Sequence, residues 1–155
     1  MPLPDESLIA SLLGRVRHIA LVGASANPAR PSHQVMAFLQ ARGYRVSPVN
    51  PGLAGQTLLG EKVVARLSEV VGPVDMVDIF RQSDAVPGLV EEAIAIGAGA
   101  VWMQLGIRHE AAAARARAAG LAVVSDRCPA IEIPRLGLPP VGAPTGQPPQ
   151  EESAS

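Results

Sequence analysis

The residues best suited to chemistry in this sequence lie in one loop, residues 23–32, which reads GASANPARPS. The loop follows an apolar run and precedes a helical pattern that Pro31 opens, which is the position of a phosphate-binding loop. Gly23 and Ala24 allow close backbone approach, and exposed amides at a helix start attract anions. The side chains that can contact an anion are Ser25, Arg30 and Ser32. The spacing matches neither G-x-G-x-x-G nor a Walker loop, which needs a lysine, so a polar loop that only caps the helix is the alternative.

The end of the second predicted strand carries Asn50 followed by Pro51. Folds that bind NAD usually place an aspartate or glutamate there, which accepts hydrogen bonds from the ribose hydroxyls. A neutral amide does not repel a phosphorylated ribose, whereas a carboxylate does. Asn50 therefore disfavours NAD and leaves room for an adenosine with an additional phosphate, as in coenzyme A or NADP. The alternative is that Asn50 and Pro51 only form a turn.

Two further predicted strands end in residues that point to the same site. Phe80 is followed by Arg81, and the single tryptophan begins the run Trp102-Met103-Gln104. In open parallel sheets, ligands bind at the carboxyl ends of the strands, where the winding direction reverses. These residues should therefore meet the loop at residues 23–32, with Arg81 as the side chain most suited to an anion. The alternative is that the aromatic and methionine side chains belong to the core.

Apolar runs and helical patterns alternate along the chain and must position this site. Strands are predicted at residues 18–23, 44–50, 74–80, 100–105 and 121–125, with a short edge strand at 62–64. Helices are predicted at 4–14, 32–42 and 110–119, and another, capped by Ser83 or Asp84, continues to residue 97. Short strand–helix–strand units imply right-handed crossovers and a parallel sheet. The fold class is therefore α/β, a three-layer Rossmann-like domain with a mainly parallel sheet of five or six strands.

Composition limits the class of protein. The chain has 155 residues, 13 basic and 14 acidic side chains, and a hydrophobic fraction of 48%. This length suits one domain, residues 1–136, followed by a tail at 137–155 that is rich in proline, glycine and polar residues and is predicted to be disordered. A net charge of −1 argues against nucleic acid as the main partner. No apolar run can span a membrane and the start lacks a signal peptide, so a cytoplasmic protein is expected.

The titratable and nucleophilic side chains form no evident catalytic group. Cys128 is the single cysteine and has no histidine near it in sequence. A lone cysteine fits a reducing cytosol and is more often a buried apolar side chain than a nucleophile. Asp75 and Asp78 are three residues apart on one strand, so they face opposite sides and cannot act as a pair. The histidines are scattered and no cluster of ligands is visible, so we expect no catalytic residue and no metal site.

Six short motifs together carry a family resemblance. They are Gly23-Ala24-Ser25, Arg30-Pro31-Ser32, Val49-Asn50-Pro51, Val77-Asp78-Ile79-Phe80-Arg81, Val101-Trp102-Met103-Gln104-Leu105-Gly106 and Asp126-Arg127-Cys128. In this order the chain resembles the compact CoA-binding domain proteins, which are single-domain relatives of the N-terminal domain of the succinyl-CoA synthetase alpha subunit. The resemblance extends over residues 17–136.

The resemblance implies a Rossmann fold that binds coenzyme A across the strand ends. The loop that starts at Gly23 would lie against the diphosphate, and Asn50 and Pro51 near the adenosine. The cofactor-binding residues are then expected to be Gly23, Ala24, Ser25, Arg30, Pro31, Ser32, Asn50, Pro51, Phe80, Arg81, Trp102, Met103 and Gln104. The phosphorylated histidine of the synthetase belongs to a second domain that we expect this chain to lack, so neither His33 nor His109 inherits its role.

The leading hypothesis is a non-catalytic protein that binds coenzyme A or an acyl-CoA, with a small molecule as its partner and neither nucleic acid nor membrane. A protein partner or a homo-oligomer is left open. One alternative is an NAD(P)(H)-binding domain like those of redox sensors, although the repressors of that kind carry a DNA-binding segment that is not evident here. The other alternative is an enzyme that acts on an acyl-CoA through Cys128 or Arg81.

Overall fold

Five parallel strands form the central sheet, and almost all of their residues are buried. The structure, a computed structural model, describes residues 4–141. Its strands are β1 (His18–Val22), β2 (Arg45–Val49), β3 (Thr57–Leu58), β4 (Glu61–Lys62), β5 (Met76–Ile79), β6 (Ala100–Met103) and β7 (Ala122–Val124). The order across the sheet is β2-β1-β5-β6-β7, with every neighbouring pair parallel. Strands β3 and β4 form a separate antiparallel hairpin.

Helices cover both faces of this sheet. They are α1 (Pro4–Arg15), α2 (Pro31–Ala41), α3 (Val86–Ala95), α4 (Glu110–Ala118) and α5 (Pro129–Arg135). Helix α5 contacts α1 and α2 over one apolar cluster, whereas α3 and α4 contact each other over a second cluster. The arrangement confirms the predicted three-layer α/β fold with a parallel sheet. None of the helices within residues 4–141 is long and apolar enough to cross a bilayer.

The strand order creates one point at which the winding direction reverses. From β1 the chain passes through α2 to β2 on one side, and it then returns to β5 on the other side of β1. The loops that leave the carboxyl ends of β1 and β5 therefore diverge to opposite faces of the sheet. In such sheets the crevice between the diverging loops is where ligands bind. Here that crevice starts between Gly23, which follows β1, and Phe80, which follows β5.

Two local features differ from the sequence prediction. The hairpin of β3 and β4 takes the place of the predicted edge strand at 62–64, although Val64 forms a parallel bridge to Val49. Helix α3 begins at Val86 after a turn of 3-10 helix, and no side chain caps it. The hydroxyl of Ser83, expected to cap that helix, instead accepts a hydrogen bond from the backbone N–H of Arg108 at 3.1 Å. Tertiary contacts thus replace the local capping that the sequence favoured.

Helix α5 was not predicted, because two prolines within seven residues are a weak helical signal. Pro129 occupies the first turn, where a missing N–H costs nothing. The helix is held by the buried Glu132, whose carboxylate accepts from Arg135 at 2.6 Å. Arg135 also contacts Glu6 of α1 at 2.7 Å, which joins the two helices.

The start of the tail departs from the prediction of disorder at 137–155. The carbonyl of Leu138 accepts from the guanidinium of Arg42, and the N–H of Val141 donates to the carbonyl of Arg42 at 2.9 Å. Val141 is buried in the cluster beside α2. These residues are ordered because they cover the end of α2, where the chain turns into β2. The rest of the predicted tail, residues 142–155, lies outside the described residues.

Candidate functional site

Gly23 shapes the crevice because it lies between the ends of three strands. Its N–H donates to the carbonyl of Val49 at 2.9 Å, and its φ is +93°, a conformation that side-chain-bearing residues rarely adopt. A Cβ atom at this position would lie 2.5 Å from the carbonyl oxygen of Phe80. Only glycine lets the chain pass from β1 into the loop while the end of β5 stays this close.

The loop after Gly23 is organised by its own polar side chains. The hydroxyl of Ser25 accepts from the N–H of Asn27 at 3.1 Å, and the side-chain oxygen of Asn27 accepts from the N–H of Ala29 at 2.9 Å. The N–H of Arg30 then donates to the carbonyl of Asn27 at 3.0 Å. These consecutive turns hold the loop in one shape on the way to α2.

The amino end of α2 has no side-chain cap within residues 4–141. Arg30 occupies the capping position without a side-chain hydrogen bond, Pro31 comes first in the helix, and the first turn contains no acidic residue. Ser32 is buried in this turn. The N–H groups of His33 and Gln34 donate to the carbonyl of Arg30, and Pro31 has no N–H. The anion-binding tendency of this helix start therefore comes from its partial positive charge and from the N–H of Ser32.

Asn50 ties the end of β2 to this loop. Its Nδ2 donates to the carbonyl of Ala24 at 2.8 Å, and its Oδ1 accepts from the N–H of Gly52 at 2.8 Å. A carboxylate could accept the second bond but could not donate the first. The amide is therefore required by the protein's own hydrogen bonds, which is a stronger reason for asparagine here than tolerance of a phosphate.

A cavity of about 670 Å³ lies between these segments. Nine of the thirteen predicted binding residues line it, namely Gly23, Ala24, Ser25, Arg30, Pro31, Ser32, Asn50, Phe80 and Arg81. Among the described residues, its lining contains two guanidinium groups, both exposed, and no carboxylate. No ion pair involves either arginine among the residues that the structure describes. The cavity is consequently electropositive.

A second cavity, of about 550 Å³, adjoins the first. The two share Arg81, and the predicted residue Pro51 lines the second cavity rather than the first. Its walls come from the ends of β1 and β2, the segment after β4 and helix α3. They include the apolar side chains of Leu67, Leu89 and Ile96. Arg81 therefore lines both cavities, and the second also contains Arg66 and Glu92 beside its apolar side chains.

Three predicted residues lie outside both cavities. Trp102 is fully buried, and its Nε1 donates to the carbonyl of Arg127 at 2.7 Å, which makes it a core residue. Met103 is fully buried too, with its sulfur 3.6 Å from the hydroxyl of Ser125. Gln104 follows β6 and is 6% exposed. The structure thus places Trp102 and Met103, which we expected as cavity walls, in the core, because Trp102 packs on the side of α5 and Met103 on the side of α3 and α4.

Several lining residues were missed by the sequence analysis. In the first cavity they are Ala26, Asn27, Gly52 and Leu53. The first two belong to the loop already singled out, so their position in it was the available signal. The second cavity had no such signal, since its walls come from segments that are distant in sequence and carry no motif.

The other chemically capable residues are used structurally. His18 lies at the amino end of β1, with its ring nitrogens 2.6 Å from the carbonyl of Pro73 and 2.7 Å from the hydroxyl of Ser47, and burial lowers the pKa of His18. The ring of His109 accepts from the N–H of Ala112 at the start of α4. Cys128 is buried before α5. Within residues 4–141, no three His, Cys, Asp or Glu side chains are grouped as a metal site would require.

Comparisons with known proteins agree on a family. Residues 17–134 match the family model described as the CoA binding domain. The protein YneT of Bacillus subtilis (strain 168) is 38% identical over 125 residues, which are 81% of this chain and 91% of YneT. A solved structure from Thermus thermophilus, cell-free ID.343, has 41% identity and a TM-score of 0.81, covering 86% of this chain and 99% of its own.

A larger protein contains a similar unit. The dinucleotide-forming acetyl-coenzyme A synthetase 1 of Ca. Korarchaeum cryptofilum, in its apo form, is 25% identical with a TM-score of 0.63. The similarity covers 74% of this chain and 27% of the synthetase chain. The same fold therefore occurs as one part of an enzyme several times its size.

Proposed function

The chain belongs to the CoA-binding domain family, and on that premise we propose that it binds coenzyme A or an acyl-CoA without catalysing a reaction. The observation that carries the proposal is the first cavity. It combines the uncapped start of α2 with Arg30 and Arg81, and no carboxylate lines it. The phosphates of coenzyme A supply the negative charge that such a site favours.

The second cavity supports a ligand with a less polar end. Leu67, Leu89 and Ile96 give it apolar walls, and Arg81 connects it to the electropositive cavity. An adenine ring is flat and largely apolar, and it is joined to phosphates through one ribose. We propose that the adenosine lies on this side, next to Pro51, while the diphosphate lies against the loop after Gly23.

The proposal that the protein is not an enzyme rests on what lines the two cavities. Glu92, on the exposed side of α3, is the single carboxylate of the two linings. No lining serine is hydrogen-bonded to a histidine or a carboxylate in the described part of the chain. Cys128 lines neither cavity and is buried. Nucleophilic catalysis needs an activated nucleophile beside a base, and this arrangement does not provide one.

Calorimetric titration tests the proposal directly. We expect coenzyme A and acetyl-CoA to bind with measurable heat, and NADH to bind more weakly or not at all, because Asn50 offers no carboxylate to the ribose hydroxyls. Acetyl-CoA incubated with the protein should remain intact, and a Cys128→Ala variant should behave identically. Tight binding of NADH with no heat from either CoA species contradicts the proposal. Thioester hydrolysis that disappears in Cys128→Ala contradicts its non-catalytic part.

Replacement of Arg81 is expected to weaken coenzyme A binding by about ten- to a hundredfold, because a hydrogen bond between charged groups contributes about 1.5–3 kcal/mol. The side chain is exposed and has no ion pair among the described residues, so Arg81→Ala should leave thermal stability unchanged. Arg81→Lys should recover part of the affinity. Arg117→Ala is the matched control, since Arg117 is exposed on α4 and lines neither cavity. Equal affinities for Arg81→Ala and Arg117→Ala would place Arg81 outside the site.

A further inference from the structure

Asp78 is a fully buried acid that no part of the described structure satisfies. It lies in the middle of β5, level with Leu21 of β1 and Trp102 of β6, and it has no exposed surface. Neither Oδ1 nor Oδ2 has a hydrogen-bond partner among the described residues. A buried carboxylate without partners is far more costly than a neutral carboxylic acid. Burial accordingly raises the pKa of Asp78 well above its usual range.

No neighbouring charge contributes to the raised pKa of Asp78, because loss of hydration is its single cause. The titratable groups on the elements around β5 have other partners or lie elsewhere. His18 of β1 contacts Pro73 and Ser47, and Glu132 of α5 is paired with Arg135. Cys128 shares the apolar cluster on this face without a hydrogen bond to Asp78.

The side chain of Gln104, on the same face of the sheet, also has a polar atom without a hydrogen-bond partner among the described residues. Its Oε1 is buried and has no partner in the described part of the chain. Asp78 is level with Trp102, so alternation along β6 brings Gln104 to the same face two residues further on. Neighbouring strands lie about 4.8 Å apart and two residues rise by about 6.6 Å along a strand, so a side chain as long as that of Gln104 can reach Asp78. The backbone of Gln104 is already fixed, because its N–H donates to Ile79 and its carbonyl accepts from Ile107.

Protonation of Asp78 would give both unsatisfied side chains, Asp78 and Gln104, a hydrogen-bond partner. An ionised carboxylate only accepts hydrogen bonds, whereas a neutral carboxyl group also donates one. The indole N–H of Trp102, which neighbours both residues, is used by the carbonyl of Arg127. The hydroxyl of Asp78 then has the Oε1 of Gln104 as an acceptor, and that oxygen gains the donor it lacks.

We propose that Asp78 is a positioning residue: its carboxyl group donates to Oε1 of Gln104 and turns the amide nitrogen of Gln104 toward the crevice beside Phe80. The nitrogen there donates to a carbonyl group of the ligand, and in a CoA ligand the amide carbonyls of the pantetheine arm are such groups. Register supports this location, since Ile79 pairs with Met103 and the next residues, Phe80 and Gln104, therefore lie side by side. The proposal rests on the proposed function, because the ligand arm is that of coenzyme A.

Binding measurements with two ligands test the proposal. The probes are coenzyme A and its adenosine bisphosphate half, which lacks the pantetheine arm. Asp78→Ala and Gln104→Leu should each weaken coenzyme A about tenfold and leave the adenosine bisphosphate unaffected, and the double variant should be no weaker than either. Asp78→Asn, which keeps a donor, should bind like the parent. Equal losses for both ligands, or additive losses in the double variant, overturn the proposal.

The pH profile separates positioning from a merely structural role. Coenzyme A binding to the parent should weaken as rising pH ionises Asp78 and removes the donor, whereas Asp78→Asn should show no such change. Heteronuclear NMR of the free protein provides a readout that needs no ligand. The side-chain amide signals of Gln104 should move with pH in the parent and stay constant in Asp78→Asn. Immobile signals in the parent overturn the proposal even when coenzyme A binds. Absence of any coenzyme A binding overturns the proposed function and the assignment of the pantetheine arm, while signals that move with pH still support the contact between Asp78 and Gln104.

Discussion

Gly23→Ala abolishes coenzyme A binding and lowers the free energy of unfolding by about 2–5 kcal/mol, which is the sum expected for a left-handed backbone and an overpacked contact. The new Cβ would lie 2.5 Å from the carbonyl oxygen of Phe80, and backbone atoms on both sides prevent a cheap adjustment. To relieve the clash, the ends of β1 and β5 must separate. The loop and Phe80 then leave the positions that form the first cavity. Urea unfolding and calorimetric titration measure the two effects.

Gly120 provides the matched control for this experiment. Its φ is also +93°, but nothing lies within 4 Å of the Cβ that an alanine would add. Gly120→Ala should therefore cost about 1 kcal/mol from backbone strain alone and leave binding unchanged. Equal destabilisation by the two substitutions would mean that the contact with Phe80 contributes nothing. Normal coenzyme A binding by Gly23→Ala would show that the backbone around Gly23, where the ends of β1 and β5 meet, is not part of the binding site.

Asp78→Asn raises the free energy of unfolding at neutral pH by about 1 kcal/mol or more, because ionisation of Asp78 stabilises the unfolded parent and a difference of one pKa unit corresponds to about that free energy. Burial raises the pKa of Asp78 in the folded protein, so the unfolded chain releases its proton at lower pH than the folded protein does. The parent thus keeps its full stability below the ordinary aspartate pKa of about 3.9 and loses stability as pH rises through the folded value. Asparagine cannot ionise and avoids that loss.

The difference in stability between the parent and Asp78→Asn should consequently vanish in acid and grow with pH. The two proteins share all other carboxylates, so the contributions of those groups to the free energy of unfolding cancel when the two are compared at the same pH. Asp84→Asn is the control, because Asp84 is exposed before α3 and should give a difference near zero throughout. A gap that stays constant from acid to neutral pH would show that Asp78 does not titrate with folding.

The loop from Gly23 to Ser32 and the end of β2 could be predicted from sequence because their signals are local. A buried strand, a glycine, small residues and a proline-led helix occur consecutively along the chain, and each has its own conformational preference. The position of Arg81 at a strand end could be predicted in the same way, since it comes directly after an apolar run. The structure places these residues in the lining of the two cavities.

The burial of Trp102 and Met103 could not be predicted from local sequence signals. Both sit at the end of a strand, as predicted, yet both are fully buried. Trp102 is buried in the cluster that includes residues of α5, whereas Met103 is buried in the cluster formed with α3 and α4. Helix α5 itself is stabilised by tertiary ion pairs through Glu132 and Arg135 rather than by a helical sequence pattern. The sequence around position 102 contains no pattern that indicates which segment packs over the Trp102 side chain.

The sequence by itself determined the α/β class, the parallel sheet and the family, because the alternation of apolar runs and amphipathic helices repeats over short distances. Only the tertiary structure decided the strand order, and with it the reversal between β1 and β5 that opens the crevice. It also decided that Asn50 is bound to the loop, that Arg81 lines two cavities, and that Asp78 is buried without a hydrogen-bond partner in the part of the chain that the structure describes. These properties depend on contacts between segments far apart in the chain, whose energies no local preference encodes.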